Sequence, residues 1–61
     1  MSLKLSKKED SLLTLGRVKL HMVRKQFEQE KIDEFVQIAL RQKTPDIIET
    51  ARNYLDDIVS D

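Results

Sequence analysis

The chain has 61 residues, no cysteine and a single histidine, with 11 basic residues balanced by 11 acidic ones. That length allows one domain, and a chain so short buries only about 60% of the surface it exposes when unfolded. Disulfides and thiolate zinc sites are excluded, and one His21 cannot make a His-rich metal site, so oligomerisation is the usual stabilising device left to it. The zero net charge argues against a dedicated nucleic-acid binder.

The charges are unevenly placed. Residues 1–25 carry seven basic side chains against Glu9 and Asp10, a net of +5, and residues 26–61 carry a net of −5. A basic half and an acidic half can neutralise each other across a hairpin or a dimer. No apolar run approaches the ~20 residues of a membrane span and no signal peptide is visible, so no membrane partner is expected and the chain reads as cytoplasmic.

In chain order, residues 1–5 read as disordered or vector-derived. Ser6-Lys7-Lys8-Glu9 has the form of a capping box, which predicts a helix from about Ser6. No proline follows until Pro45, and Gly16 either weakens that helix or marks a close helix–helix approach. Leu13, Gly16, Leu20, Val23 and Phe27 form one apolar stripe, and Leu15, Val18 and Met22 form another on nearly the opposite side. After Phe27 the phase shifts, so that Ile32, Phe35, Val36, Ala39 and Leu40 continue the second stripe. The pattern predicts a long helix over 6–42, roughly 50 Å from end to end. A bend near 28–31, or a short strand over 17–23 where apolar and polar residues alternate, are the other readings.

Lys43-Thr44-Pro45-Asp46 is the clearest punctuation, with Thr44 as N-cap, Pro45 at the first helical position and Asp46 at the positive end of the dipole. The second helix is predicted over 45–59, with the stripe Ile47/Ile48, Ala51, Tyr54/Leu55 and Ile58/Val59. Asp56 and Asp57 oppose the dipole at its end and call for compensation by basic residues of the first segment.

The expected fold class is therefore all-α: one domain over 1–61, a helical hairpin (long helix 6–42, second helix 45–59) that pairs into a dimeric, four-helix bundle. A helix with two apolar stripes needs cover on two sides, and one hairpin partner supplies only one. The stripe Leu15, Val18, Met22, Ile32, Val36 and Leu40 is the first choice to face a partner chain; Leu13, Leu20 and Phe27 are the second choice, because Ile48, Leu55 and Ile58 are placed to cover them from within.

Nothing in the sequence points to catalysis, to a metal site or to a cofactor. Asp33 with Glu34, and Asp56 with Asp57, are adjacent, and adjacent residues on a helix do not converge on one site. His21 beside the packed stripe reads as a helix-surface residue. The expected function is a non-enzymatic protein–protein interaction or homo-oligomerisation module, a homodimer or other homo-oligomer acting as a small regulator or adaptor. The alternative is a small DNA-binding regulator that uses Arg17, Lys19, Arg24 and Lys25. Nucleic acid is not the favoured partner, because the helix that follows Pro45 is acidic and would repel phosphates.

Over residues 39–55, Leu40-Arg41-Gln42, Pro45-Asp46, Glu49-x-Ala51 and Tyr54 match a known helix–turn–helix junction. This third of the chain resembles the docking-and-dimerisation domain of type II regulatory subunits of cyclic-AMP-dependent protein kinase. The resemblance implies a dimeric, antiparallel four-helix bundle that docks an amphipathic partner helix. The long basic N-terminal segment departs from that family's pattern.

Overall fold

The computed structural model describes residues 2–60. The elements run β1 (Leu3–Leu5), α1 (Ser11–Arg24), α2 (Gln29–Ala39), α3 (Thr44–Arg52) and β2 (Ile58–Ser60). The fold is mostly helical but not purely so, because β1 and β2 pair as a two-stranded parallel sheet. Leu3 lies opposite Ile58, Lys4 opposite Val59 and Leu5 opposite Ser60. Parallel strands need a crossover connection, and the three helices supply it.

Residues 3–5 therefore belong to the fold. Leu5 is in the core, and the Leu3 amide bonds the Asp57 carbonyl at 2.9 Å. The predicted 6–42 helix is replaced by a turn, two helices and a reversal. Its roughly 50 Å would not fit a molecule whose longest extent is 28 Å.

Ser6 does not cap a helix. Its hydroxyl accepts from the Lys8 amide at 3.2 Å, and the Glu9 amide donates to its carbonyl at 3.1 Å, which closes a turn. The cap belongs to Asp10, whose carboxylate accepts from the Leu12 amide at 2.9 Å. Residues 17–23 are helical throughout, so the alternating pattern there does not make a strand.

The break after α1 is a Schellman motif. The Phe27 amide bonds the Met22 carbonyl and the Gln26 amide bonds the Val23 carbonyl, both at 3.0 Å. Gln26 takes φ 64°, the left-handed region in which glycine is the usual residue. Phe27 then packs against the core, as does Met22. A non-glycine residue there costs about 1 kcal/mol. Gln26→Gly is thus expected to stabilise the chain by about 0.5–1 kcal/mol, several degrees in melting temperature for a domain of this size. Thermal unfolding followed by circular dichroism checks it, and an unchanged or lower midpoint would reject the motif as the source of the turn.

α2 and α3 are joined over residues 40–43, where the Arg41 and Gln42 amides bond the Ile38 and Ala39 carbonyls in a tightened last turn. The predicted punctuation is found here with one correction. Lys43 is the boundary residue and makes no side-chain cap, and Thr44 opens the helix. The Thr44 hydroxyl instead donates to the Glu9 carbonyl at 2.7 Å, which ties the start of α3 to the turn before α1.

α3 ends at Arg52, not Val59. Asp56 and Asp57 would lie against the negative end of a longer helix, whereas Ile58 and Val59 are β-branched and suit a strand.

The core contains Leu5, Val18, Met22, Ile32, Phe35, Ala39, Ile47, Ile48, Ala51 and Leu55. All three helices and β1 contribute to it. Within the chain Gly16 is not at a close approach, since a Cβ built there meets nothing within 4 Å. In the unassociated chain, Gly16→Ala is expected to raise stability by about 0.5–1 kcal/mol through helix propensity. A urea titration on protein too dilute to associate checks this, and destabilisation there would mean that the glycine is needed for contacts within the chain.

Candidate functional site

α1 has two apolar faces with different fates. At about 100° per residue, Thr14, Val18 and Met22 fall on one side, and all three are buried. Leu12, Leu13, Gly16, Leu20 and Val23 fall within about 100° of arc on the other side. Leu12 is 68% exposed, Leu13 49%, Leu20 51% and Val23 51%. Gly16 is also exposed. The result is an uninterrupted apolar stripe along one helix, open to solvent along its length. Scattered surface leucines are ordinary, but contiguous apolar patches mark contact sites.

Both stripes expected of α1 are present, but the first choice for an interface is the one turned inward. Val18, Met22 and Ile32, expected at an interface, are at most 2% exposed inside the chain's own core. Leu15 and Val36 are half-buried against that core, and only Leu40, 61% exposed, is on the surface. The six do not form one face. The physical reason is the reversal at Gln26, which folds α2 back across α1 and closes this stripe from within.

Leu13 and Leu20, expected to be covered by Ile48, Leu55 and Ile58, are the open ones. Ile48 and Leu55 are buried on the other side of the core arrangement, with Val18 and Met22. Phe27 is half-buried and packs on the core. Leu12 was missed in the sequence, although its i, i+4, i+11 spacing with Gly16 and Val23 placed it on this face.

Basic residues rim the stripe. Arg17 pairs with Glu9 at 3.2 Å, and Lys25 pairs with Asp57 at 2.8 Å. Lys19 and Arg24 are exposed and form no ion pair among the described residues. Of the four residues proposed for nucleic acid, two are therefore engaged in holding the fold together.

The Asp57 carboxylate is a three-way junction. His21 Nε2 lies 3.0 Å and Lys25 Nζ 2.8 Å from the same oxygen, Oδ2, so the end of α1 is clamped to the entry of β2. His21 is not simply a helix-surface residue, since its side chain is only 12% exposed. The compensation expected for Asp57 is found here. Its carboxyl is held down to about 2, by the Lys25 hydrogen bond first and the His21 bond second, and the Lys25 ammonium is correspondingly raised.

Because the folded value lies below the ordinary carboxylate range, this contact stabilises above about pH 4. Its contribution is lost as pH falls through about 2. The urea midpoint of the wild type is expected to fall more steeply between pH 4 and 2 than that of Asp57→Asn. Parallel curves would remove Asp57 as a source of acid sensitivity.

A second polar pair joins α2 to the end of α3. The Tyr54 hydroxyl donates to Glu34 at 2.7 Å, which pushes the phenol up to about 12. Among the described residues there is no group of three or more His, Cys, Asp or Glu placed to hold a metal, and no helix is long and apolar enough to cross a membrane. No protein-family model, no curated protein and no solved structure matches the chain.

Proposed function

We propose that the chain is a non-enzymatic protein–protein interaction module, a small regulator or adaptor, whose contact face is the exposed stripe of α1. One observation carries this reading. The helix has already filled a core with Val18 and Met22, yet it shows solvent a second apolar face made of Leu12, Leu13, Gly16, Leu20 and Val23. Helix-in-groove and helix-on-helix recognition both use anchors at this spacing.

The ionisable groups support a structural use of charge. His21, Lys25 and Asp57 lock α1 to β2, Arg17 and Glu9 lock α1 to the preceding turn, and Tyr54 and Glu34 lock α3 to α2. The apolar residues of the junction that resembles the kinase docking domain, Ile47, Ile48, Ala51 and Leu55, are used in the chain's own core. The docking surface in this reading therefore lies on α1, outside residues 39–55.

The test is a photo-crosslinking residue placed at Leu20, with Gln37 on the exposed side of α2 as control, in the cell that makes the protein. Covalent adducts at position 20 and none at position 37 support the reading. No adduct at position 20, or equal labelling at both, rejects it.

A further inference from the structure

We infer that the occupant of the α1 stripe is a second copy of this chain, packed antiparallel, with the two Gly16 residues meeting close to a two-fold axis. The inference rests on the reading of α1 as a contact face, and adds the partner and its orientation.

The stripe is self-complementary end for end. Leu13 and Leu20 flank Gly16 at nearly equal distances, and Leu12 and Val23 close the two ends. When one copy is turned antiparallel, Leu13 of one faces Leu20 of the other, and Val23 falls about 3 Å along the axis beyond Leu12, close enough for the two to touch diagonally. That satisfies the condition for an isologous two-fold contact.

Gly16 gives a second argument. A glycine inside a helix weakens it, and nothing within the chain requires this one, because the space around its missing Cβ is empty to 4 Å. It stands between Leu13 and Leu20 on the apolar stripe, where the absence of a side chain lets a second helix axis come close.

Charge fixes the direction. Glu9 and Asp10 stand at the N-terminal end of α1, and Arg24 and Lys25 at its C-terminal end. A parallel pair would set like against like. The antiparallel pair sets Asp10 of one copy beside Arg24 of the other, twice by symmetry, and opposes the two helix dipoles.

Both residues are exposed, and Arg24 has no ion-pair partner among the described residues. Asp10 spends one oxygen on the Leu12 amide and keeps the other. Arg17 falls near the axis, where its charge is already answered by Glu9 at 3.2 Å. Lys19, on the opposite rim, comes level with Thr14 of the second copy and not with another cation.

The test uses the absence of native cysteine. Leu13→Cys and Leu20→Cys proteins are oxidised separately and as a mixture. The antiparallel pair crosslinks in the mixture and not in either protein alone, since like positions are then ~10 Å apart along the axis at ~1.5 Å per residue. Light scattering over a concentration series should show a wild-type dimer, with dissociation strengthened about tenfold by Arg24→Glu through its two symmetric pairs.

Crosslinking of each single variant with itself would mean a parallel pair and overturn the inference. So would a wild-type monomer at every concentration, including a monomer that binds phosphatidylglycerol vesicles instead. In the monomer case, an adduct of foreign mass at position 20 in cells leaves the contact-face reading standing, and no adduct removes both.

Discussion

Val18→Asp is expected to unfold the chain, whereas Leu20→Asp, two residues further along the same helix, leaves it folded. Val18 is fully buried at the middle of the α1 face that meets the core, and Leu20 is half exposed on the other side. A carboxylate placed at 18 has no cation within the core to answer it. An unpaired buried charge costs several kcal/mol even after its pKa adjusts, and a core of this size supplies only about 3–5 kcal/mol in all. Far-ultraviolet circular dichroism and amide dispersion should both collapse for Val18→Asp. For Leu20→Asp both should stay native, with any change confined to association. If Val18→Asp gave a folded monomer with the wild-type melting temperature, position 18 would have to be a surface position, and the assignment of the two α1 faces would be reversed.

That contrast shows how much of the molecule could be read from its sequence. The two stripes of α1 were legible, because residues 12–23 keep a 3.6-residue period on two sides of one helix. Which stripe turned inward was not legible, because the answer depends on the path of the chain after residue 24. The reversal there is made by Gln26 in a left-handed conformation. That position usually holds glycine or asparagine, so a glutamine there conceals the turn.

The second junction was legible because Thr44-Pro45 carries its own backbone restriction, and α3 starts within a residue of where it was expected. The strands were not. Each has three residues, too few for alternation to declare itself. Ile58 and Val59 also continue the helical spacing of Ile47, Ala51 and Leu55. What ends α3 is electrostatic as well as conformational, and Asp56-Asp57 did announce the conflict. Asp57 resolves it by leaving the helix and taking Lys25 and His21 as partners. The candidate site followed the same division: its existence was visible in the surplus of apolar residues on α1, and its residues were set by a turn that the sequence conceals.

Phe35→Ala is the second substitution expected to remove most of the stability. The ring is fully buried on α2 and meets Tyr54 edge-on, with centroids 5.7 Å apart and planes at 77°. Truncation of a buried phenylalanine costs about 3–5 kcal/mol, which is comparable with the whole stability expected of so small a core. The loss should also loosen Tyr54, whose hydroxyl is anchored to Glu34 one residue away, so that α2 and the end of α3 separate together.

Leu40→Ala, at the C-cap of the same helix and at a residue 61% exposed, should change stability by less than about 0.5 kcal/mol. Urea unfolding at fixed protein concentration distinguishes the two, and a Phe35→Ala midpoint within experimental error of wild type would refute the packing described here. The same titration repeated at higher concentration bears on the pairing of α1. Anything that binds only the folded chain stabilises it by mass action. If two copies join through α1, the crippled Phe35→Ala protein regains structure as its concentration rises, whereas a protein that works alone melts at one midpoint throughout.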